Sequence, residues 1–197
     1  MDVQSLNTEE KLYARTILSD IANMVKLRIR LRAKNSTIAF PFDVTKNISN
    51  IHIGPNVAID RYANFVIGKK CHVFIGEGTI IGRYCRIAGR DHYIWIGKEV
   101  GIAHRAYIST TGHEYEDVTQ SIIKQGFTSG GRVRIEDGCW IGIGTCILPN
   151  VIIGKHSVIG ANSVVDKDIP SYSVAVGSPA RVIKKYDFEK KKWTHVQ

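Results

Sequence analysis

Nowhere do the 197 residues contain an apolar run of about 18, and no signal-peptide pattern opens the chain, so a transmembrane helix is not expected and a cytoplasmic protein is. The four cysteines, Cys71, Cys85, Cys139 and Cys146, form no CxxC pair, which favours packing over a disulfide or a metal-binding role. Acidic residues are few, 18 against 27 basic ones, giving a formal charge of +9. Such a balance points to an anionic partner: nucleic acid, a phosphate-bearing cofactor or a membrane surface. No nucleic-acid motif is present and the basic residues crowd the two ends, so the cofactor is the preferred reading and no nucleic-acid partner is expected. Length argues for one domain, and 44% hydrophobic content is ordinary for a soluble protein.

Val133 to Asp166 carries the strongest pattern in the chain. Aliphatic residues recur every six positions at Ile135, Ile141, Ile147, Ile153, Ile159 and Val165. Four positions after each stands a small or β-branched residue: Cys139, Thr145, Val151, Ser157, Ser163 and Ile169. A helix requires a period of 3.6 and a simple strand a period of 2, so an unbroken six that also carries glycine fits neither alone. It fits a parallel β-helix, in which three short strands and three turns make one coil of about 18 residues and like side chains stack on the next coil. The aliphatic residue points into the prism, the small residue packs near a corner, and glycine, asparagine or aspartate takes the turn. Cys71, Cys85 and Cys139 fall on the small position.

The same pattern begins at Ile53-Gly54 and runs through Ile59, Ile67, Ile75, Ile81 and Ile87, then Ile96, Ile102 and Ile108. Steps of eight rather than six imply swellings at corners, and Asp91-His92-Tyr93 marks another irregular turn. This predicts five to six coils. Between Ser109 and Arg132 the period fails, and a loop of that length inside a repeat is usually functional or disordered; it is read here as functional. Ser5 to about Lys34 reads as a helix with Asn7 or Thr8 as cap and Tyr13, Ile17, Ile21 and Met24 on one face. Lys26, Arg28, Arg30, Arg32 and Lys34 then alternate with Leu27, Ile29 and Leu31. A cap over the open prism end is the preferred role for this segment, and a weak membrane-surface contact is the other. The expected organisation is therefore a helical cap over 1–36, a β-helix over 37–180 with an extruded catalytic loop over 109–132, and a basic tail over 181–197.

Ser109-Thr110-Thr111-Gly112-His113 resembles the catalytic loop of the galactoside and maltose acetyltransferase family and of bacterial surface-polysaccharide O-acetyltransferases. Cys139-Trp140-Ile141-Gly142, Pro149 to Gly154, Gly160-Ala161-Asn162-Ser163 and Gly177 to Arg181 resemble further family segments in the same order. The resemblance covers most of the chain. It implies an all-β fold, a left-handed parallel β-helix of hexapeptide repeats with an N-terminal helix and an extruded loop, assembled as a homotrimer with sites between neighbouring prisms. It also implies acetyl-CoA as co-substrate and a hydroxyl of a sugar or surface-glycan precursor, such as one used in lipopolysaccharide biosynthesis, as acceptor.

His113 has the chemistry that such a reaction requires, since a sugar hydroxyl is a poor nucleophile and an imidazole titrating near 6.5 can take its proton. Glu114, Glu116 and Asp117 are candidates to orient the ring, against the reading of solvated loop charges. By position in the resemblance, Trp140, Gly142, Ile143, Gly160 and Ala161 contact the pantetheine arm, and Arg181 and Lys184 meet its phosphates; Lys185 is added from local charge. Asp91 and His92, where the repeat swells, and Glu114 are the acceptor-side candidates. Two other readings stand beside this one. A zinc hydratase on the same fold requires a close histidine pair, which is missing after His113, so no metal is expected. An N-acetyltransferase acting on an amino or nucleotide sugar, or a non-catalytic scaffold, uses the same repeat.

Overall fold

Every sixth side chain needs an apolar neighbour above and below it, and the chain supplies one by coiling on itself. The computed structural model describes residues 34–44, 47–128 and 130–196, together with Ala22 and Val25, which are helical. The expected helix over Ser5 to about Lys34 otherwise lies outside the described residues. Six coils are present, each contributing to three parallel sheets that form the faces of a prism.

The first face stacks Thr37–Ile38, Ala58–Ile59, Ile80–Ile81, Gly101–Ile102, Trp140–Ile141 and Val158–Ile159, and ends on Ser173–Gly177. The second stacks Asp43–Val44, Asn64–Ile67, Arg86–Gly89, Tyr107–Ser109, Cys146–Ile147 and Val164–Val165. The third stacks Ile51–Ile53, His72–Ile75, Tyr93–Ile96, Val133–Ile135 and Val151–Ile153, and Ile169 adds one bridge. Registers align the aliphatic residues into columns. On the first face Ile59, Ile81, Ile102, Ile141 and Ile159 lie one above another. On the second, Phe65, Ile87, Ile108, Ile147 and Val165 do the same. These columns are the core, and each of their members is buried.

The small positions do more than avoid a clash. Thr79 and Thr145 donate to the carbonyls of Gly97 and Gly142 at 2.8 Å, and Ser157 to that of Pro170 at 2.8 Å. Cys85 and Cys139 point their thiols at the carbonyls of Ala103 and Gly154, both at 3.1 Å. All four cysteines are free, so the packing reading of these thiols is the one the structure shows. Burial pushes Cys71, Cys85 and Cys139 up to about 11.

One expectation needs correction. Residues 181–197 are not simply a basic tail: Ala180–Asp187 pairs antiparallel with Ser173–Gly177, and Lys192–His195 pairs antiparallel with it in turn. Tyr186 packs edge-on against Trp193 at 5.4 Å and Phe188 at 5.1 Å within this ribbon, and Phe188 meets Tyr172 of the last coil edge-on at 4.8 Å.

Two outcomes follow from the core. Ile135 is fully buried and its neighbour Arg134 points outward, so Ile135→Ala should lower unfolding free energy by about 2–5 kcal/mol, and Arg134→Ala by less than about 0.5 kcal/mol, in a denaturant titration. The raised thiols hold protons that the unfolded chain releases above its ordinary value of 9.0, so stability should fall as pH rises from about 9 to about 11. Replacing Cys85 by alanine should flatten that slope, measured as midpoint against pH.

Candidate active site

After Ser109 the chain leaves the prism and returns at Val133, and the excursion is built as a short antiparallel ladder rather than as an irregular loop. Gly131 N–H donates to Thr110 O at 2.6 Å, Thr128 N–H to Gly112 O at 3.0 Å, and His113 bridges Phe127. Side chains reinforce the base: Thr128 Oγ1 accepts from Gly112 N–H at 3.0 Å, and Ser109 Oγ donates to Thr111 O at 2.8 Å. At the tip, the hydroxyl and N–H of Thr119 and the amide of Gln120 donate to the Asp117 carboxylate, which holds it below the usual carboxylate range. A single helical turn, Ile122–Gln125, then leads to Gly126.

Gly126 fixes the histidine. The carbonyl of Gly126 lies 3.1 Å from His113 Nδ1. A carbonyl only accepts, so Nδ1 carries the proton in the neutral ring and Nε2 is left with a free lone pair. Gly126 has φ 87° and ψ −146°, a conformation that is essentially restricted to glycine. Phe127 stacks on the imidazole with centroids 4.5 Å apart, and the Arg90 guanidinium lies 4.4 Å from the centroid of the same Phe127 ring.

His113 faces a cavity of about 530 Å³ that runs along the second face of the prism. Arg86, Arg90, Tyr107, Ser109 and Phe127 line it beside the imidazole. Of these, Phe127 and the two arginines carried no motif in the sequence. Only Arg86 had a signal, its phase, since Arg86 and Tyr107 are register partners with side chains on the outer face.

Of the acceptor-side candidates, Asp91 and His92 do not line the His113 cavity. His92 lines a separate cavity of about 310 Å³ with Arg132, Asn150 and Asp168, and Asp91 lines neither. Glu114 is half-buried next to the imidazole in sequence, yet the ring is held by a backbone carbonyl and not by a carboxylate.

The residues expected along the cofactor do meet along one edge. Trp140 is 60% exposed on the first face, and a Cβ added to Gly101 in the coil before would lie 3.7 Å from its indole. Gly142 and Ile143 stand at the next corner directly over Gly160 and Ala161; a Cβ on Gly142 would approach Ala161 N to 2.6 Å. The corner thus holds two exposed apolar side chains, Trp140 and Ile143, on either side of the buried Gly142, with Gly160 and Ala161 in the coil beyond. Arg181, Lys184 and Lys185 lie on the added strand beside it, with Val176 paired to Arg181. Arg181 Nη1 is 3.2 Å from Asp166 Oδ1, an exposed ion pair that costs little to exchange for another anion. Among the described residues no group of three or more His, Cys, Asp or Glu is placed to hold a metal ion, and no helix is long and apolar enough to cross a membrane.

A prism of stacked hexapeptides with an imidazole on an extruded loop defines a class, and comparison with known proteins agrees. The model of the family described as bacterial transferase hexapeptide (six repeats) matches residues 132–167. A Schizosaccharomyces pombe protein named provisionally as an acetyltransferase is 34% identical over 168 residues, 85% of this chain and 72% of that protein. Galactoside O-acetyltransferase of Lactococcus lactis is 39% identical over 135 residues, 68% of this chain and 62% of that enzyme. Among solved structures, a variant of AntD, an N-acyltransferase from Bacillus cereus in complex with dTDP and coenzyme A, superposes with a TM-score of 0.68 at 26% identity, covering 80% of this chain and 84% of that one. The chain belongs to the hexapeptide-repeat acetyltransferase family and is an enzyme of the acyltransferase class.

The imidazole geometry is open to a direct check. In ¹⁵N NMR of His113 above pH 8, the neutral ring should be the Nδ1–H tautomer. A methyl at Gly126 meets nothing within 4 Å, so Gly126→Ala acts through the backbone alone; it should mix the tautomers and lower kcat at least about tenfold.

Proposed function

We propose that the protein is a CoA-dependent O-acetyltransferase that moves acetyl from acetyl-CoA to a hydroxyl of a sugar or glycan precursor, with His113 as general base. The observation that carries this reading is the imidazole itself: Nδ1 tied to Gly126 O and Nε2 free at a cavity large enough for a sugar. The acetyl thioester supplies the electrophile. The acceptor oxygen attacks the thioester carbon while Nε2 takes its proton; the C–S bond then breaks, and Nε2–H returns the proton to the leaving thiolate. Because Nδ1 keeps its proton throughout, the Gly126 carbonyl can stabilise the imidazolium as it forms, in the role an aspartate plays elsewhere.

We place the pantetheine arm along Trp140, Gly142, Ile143, Gly160 and Ala161, where the exposed Trp140 and Ile143 offer apolar contact, with Arg181, Lys184 and Lys185 available to the phosphates. We assign the assembly as a homotrimer in which His113 of one prism meets a cofactor strip shared with the next, working in the cytoplasm. Acylation of an amino group on a nucleotide sugar is the second reading, favoured by the likeness to AntD with its bound dTDP. Both use the same proton transfer.

His113→Ala should lower kcat at least about a hundredfold while leaving the dissociation constant for CoA within about threefold, measured by thiol release and by calorimetry. Near-native turnover in that variant would remove the imidazole from the mechanism.

A further inference from the structure

Two guanidinium groups line the His113 cavity, and no carboxylate does. Arg83, Arg134 and Arg181 each form an ion pair with a carboxylate, whereas Arg86 and Arg90 form none among the described residues. Gly68, also in the lining, is followed by Lys69 and Lys70, both exposed. We infer that the acceptor carries a negatively charged group, phosphoryl or carboxylate, which Arg86 and Arg90 receive beside the hydroxyl that is acylated. This rests on reading the His113 cavity as the acceptor site.

The placement of the two side chains supports a defined site rather than a diffuse charge. Arg86 is fixed in register between Asn64 and Tyr107 on the outer side of the second face. Arg90, at the corner that follows, lies over the Phe127 ring, which is also the ring that packs on His113. One aromatic side chain thus sets both the cation and the base, so an anion bound at Arg90 has a fixed offset from Nε2. A guanidinium presents a planar fork of donors that matches both oxygens of a carboxylate or two of a phosphoryl group. A neutral sugar offers these guanidinium groups only neutral hydroxyl acceptors, which are weaker partners than an anionic oxygen, and that difference favours a charged acceptor. These arginines stand on the third coil, whereas the strip assigned to the cofactor stands on the fifth and sixth.

The test uses the full chain with acetyl-CoA and four acceptors: glucose, glucuronate, glucose 1-phosphate and a nucleoside diphosphate glucose. At least one charged acceptor should exceed glucose in kcat/KM by about tenfold or more, and which one does so tells carboxylate, phosphate monoester and diphosphate apart. Arg86→Gln and Arg90→Gln should each cut that advantage about tenfold, chiefly through KM for the acceptor, with KM for acetyl-CoA moved less than about twofold; Arg86→Lys should recover part of it. In parallel, the Nε–H signals of Arg86 and Arg90 should shift in NMR titrations with the charged acceptors and not with glucose.

Equal selectivity for charged and neutral sugars, selectivity that survives both glutamine variants, or silent arginine signals with every anion would each overturn the inference. So would a rise in KM for acetyl-CoA alone, which would make these residues part of the cofactor site. Failure of the underlying reading looks different: turnover would persist in His113→Ala whatever the arginines do.

Discussion

Each coil of this protein is held by the backbone hydrogen bonds it makes to the next one along the prism axis. Ile80 N–H reaches Val100 O at 2.9 Å, Gly101 N–H reaches Cys139 O at 2.9 Å, and Trp140 N–H reaches Ser157 O at 2.9 Å, the same bond repeated up one face. The spacing between coils is therefore set by the backbone and not by side chains. Everything else must adapt to it: inward side chains stack into columns of like residues, and corners that come too close must lose their Cβ. Gly76 shows the second constraint, because a Cβ there would fall 2.5 Å from the carbonyl carbon of Gly97 in the next coil.

That constraint explains which parts of the molecule were legible in the sequence. The columns on the three faces, the corner glycines and the small position occupied by Cys71, Cys85 and Cys139 all repeat because the axial bonds repeat, so a period of six reveals them. The excursion between Ser109 and Val133 has no axial partner and hence no period. Its order comes from an antiparallel ladder and from Thr128, Asp117 and Gln125, whose bonds depend on which residues meet across the loop. The same holds for Ala180–Asp187, where Arg181, Lys184 and Lys185 read as a charged tail until Trp193 and Phe188 are seen to cover Tyr186.

The candidate site divides along the same line. His113 and the strip from Trp140 to Ala161 were visible because they sit in short segments that resemble a family. Gly126, Phe127, Arg86 and Arg90 were not, because each acquires its role only through a neighbour distant in sequence: Gly126 through the imidazole thirteen residues earlier, Phe127 through Arg90. Asp91 and His92 are a different case. An irregular turn drew attention to them, yet His92 takes φ 63° at its corner and faces the other cavity.

A division of labour follows from this geometry. The strip proposed for the cofactor lies where coils meet at a corner, and its glycines are required there because a Cβ on Gly142 would run into the backbone of the next coil. The cavity before His113 is made of outward side chains on the second face, which the core does not constrain: Arg86 and Tyr107 lie in register with Cys146 and Val164, and nothing in the columns behind them dictates their charge. Substitutions there change what the cavity accepts without disturbing the prism, because an outward position contributes little to the buried columns. On the proposed reading, the fold can hold the thioester chemistry fixed while the acceptor changes, and Arg86, Arg90, Tyr107 and Phe127, rather than the repeat, carry the choice of acceptor.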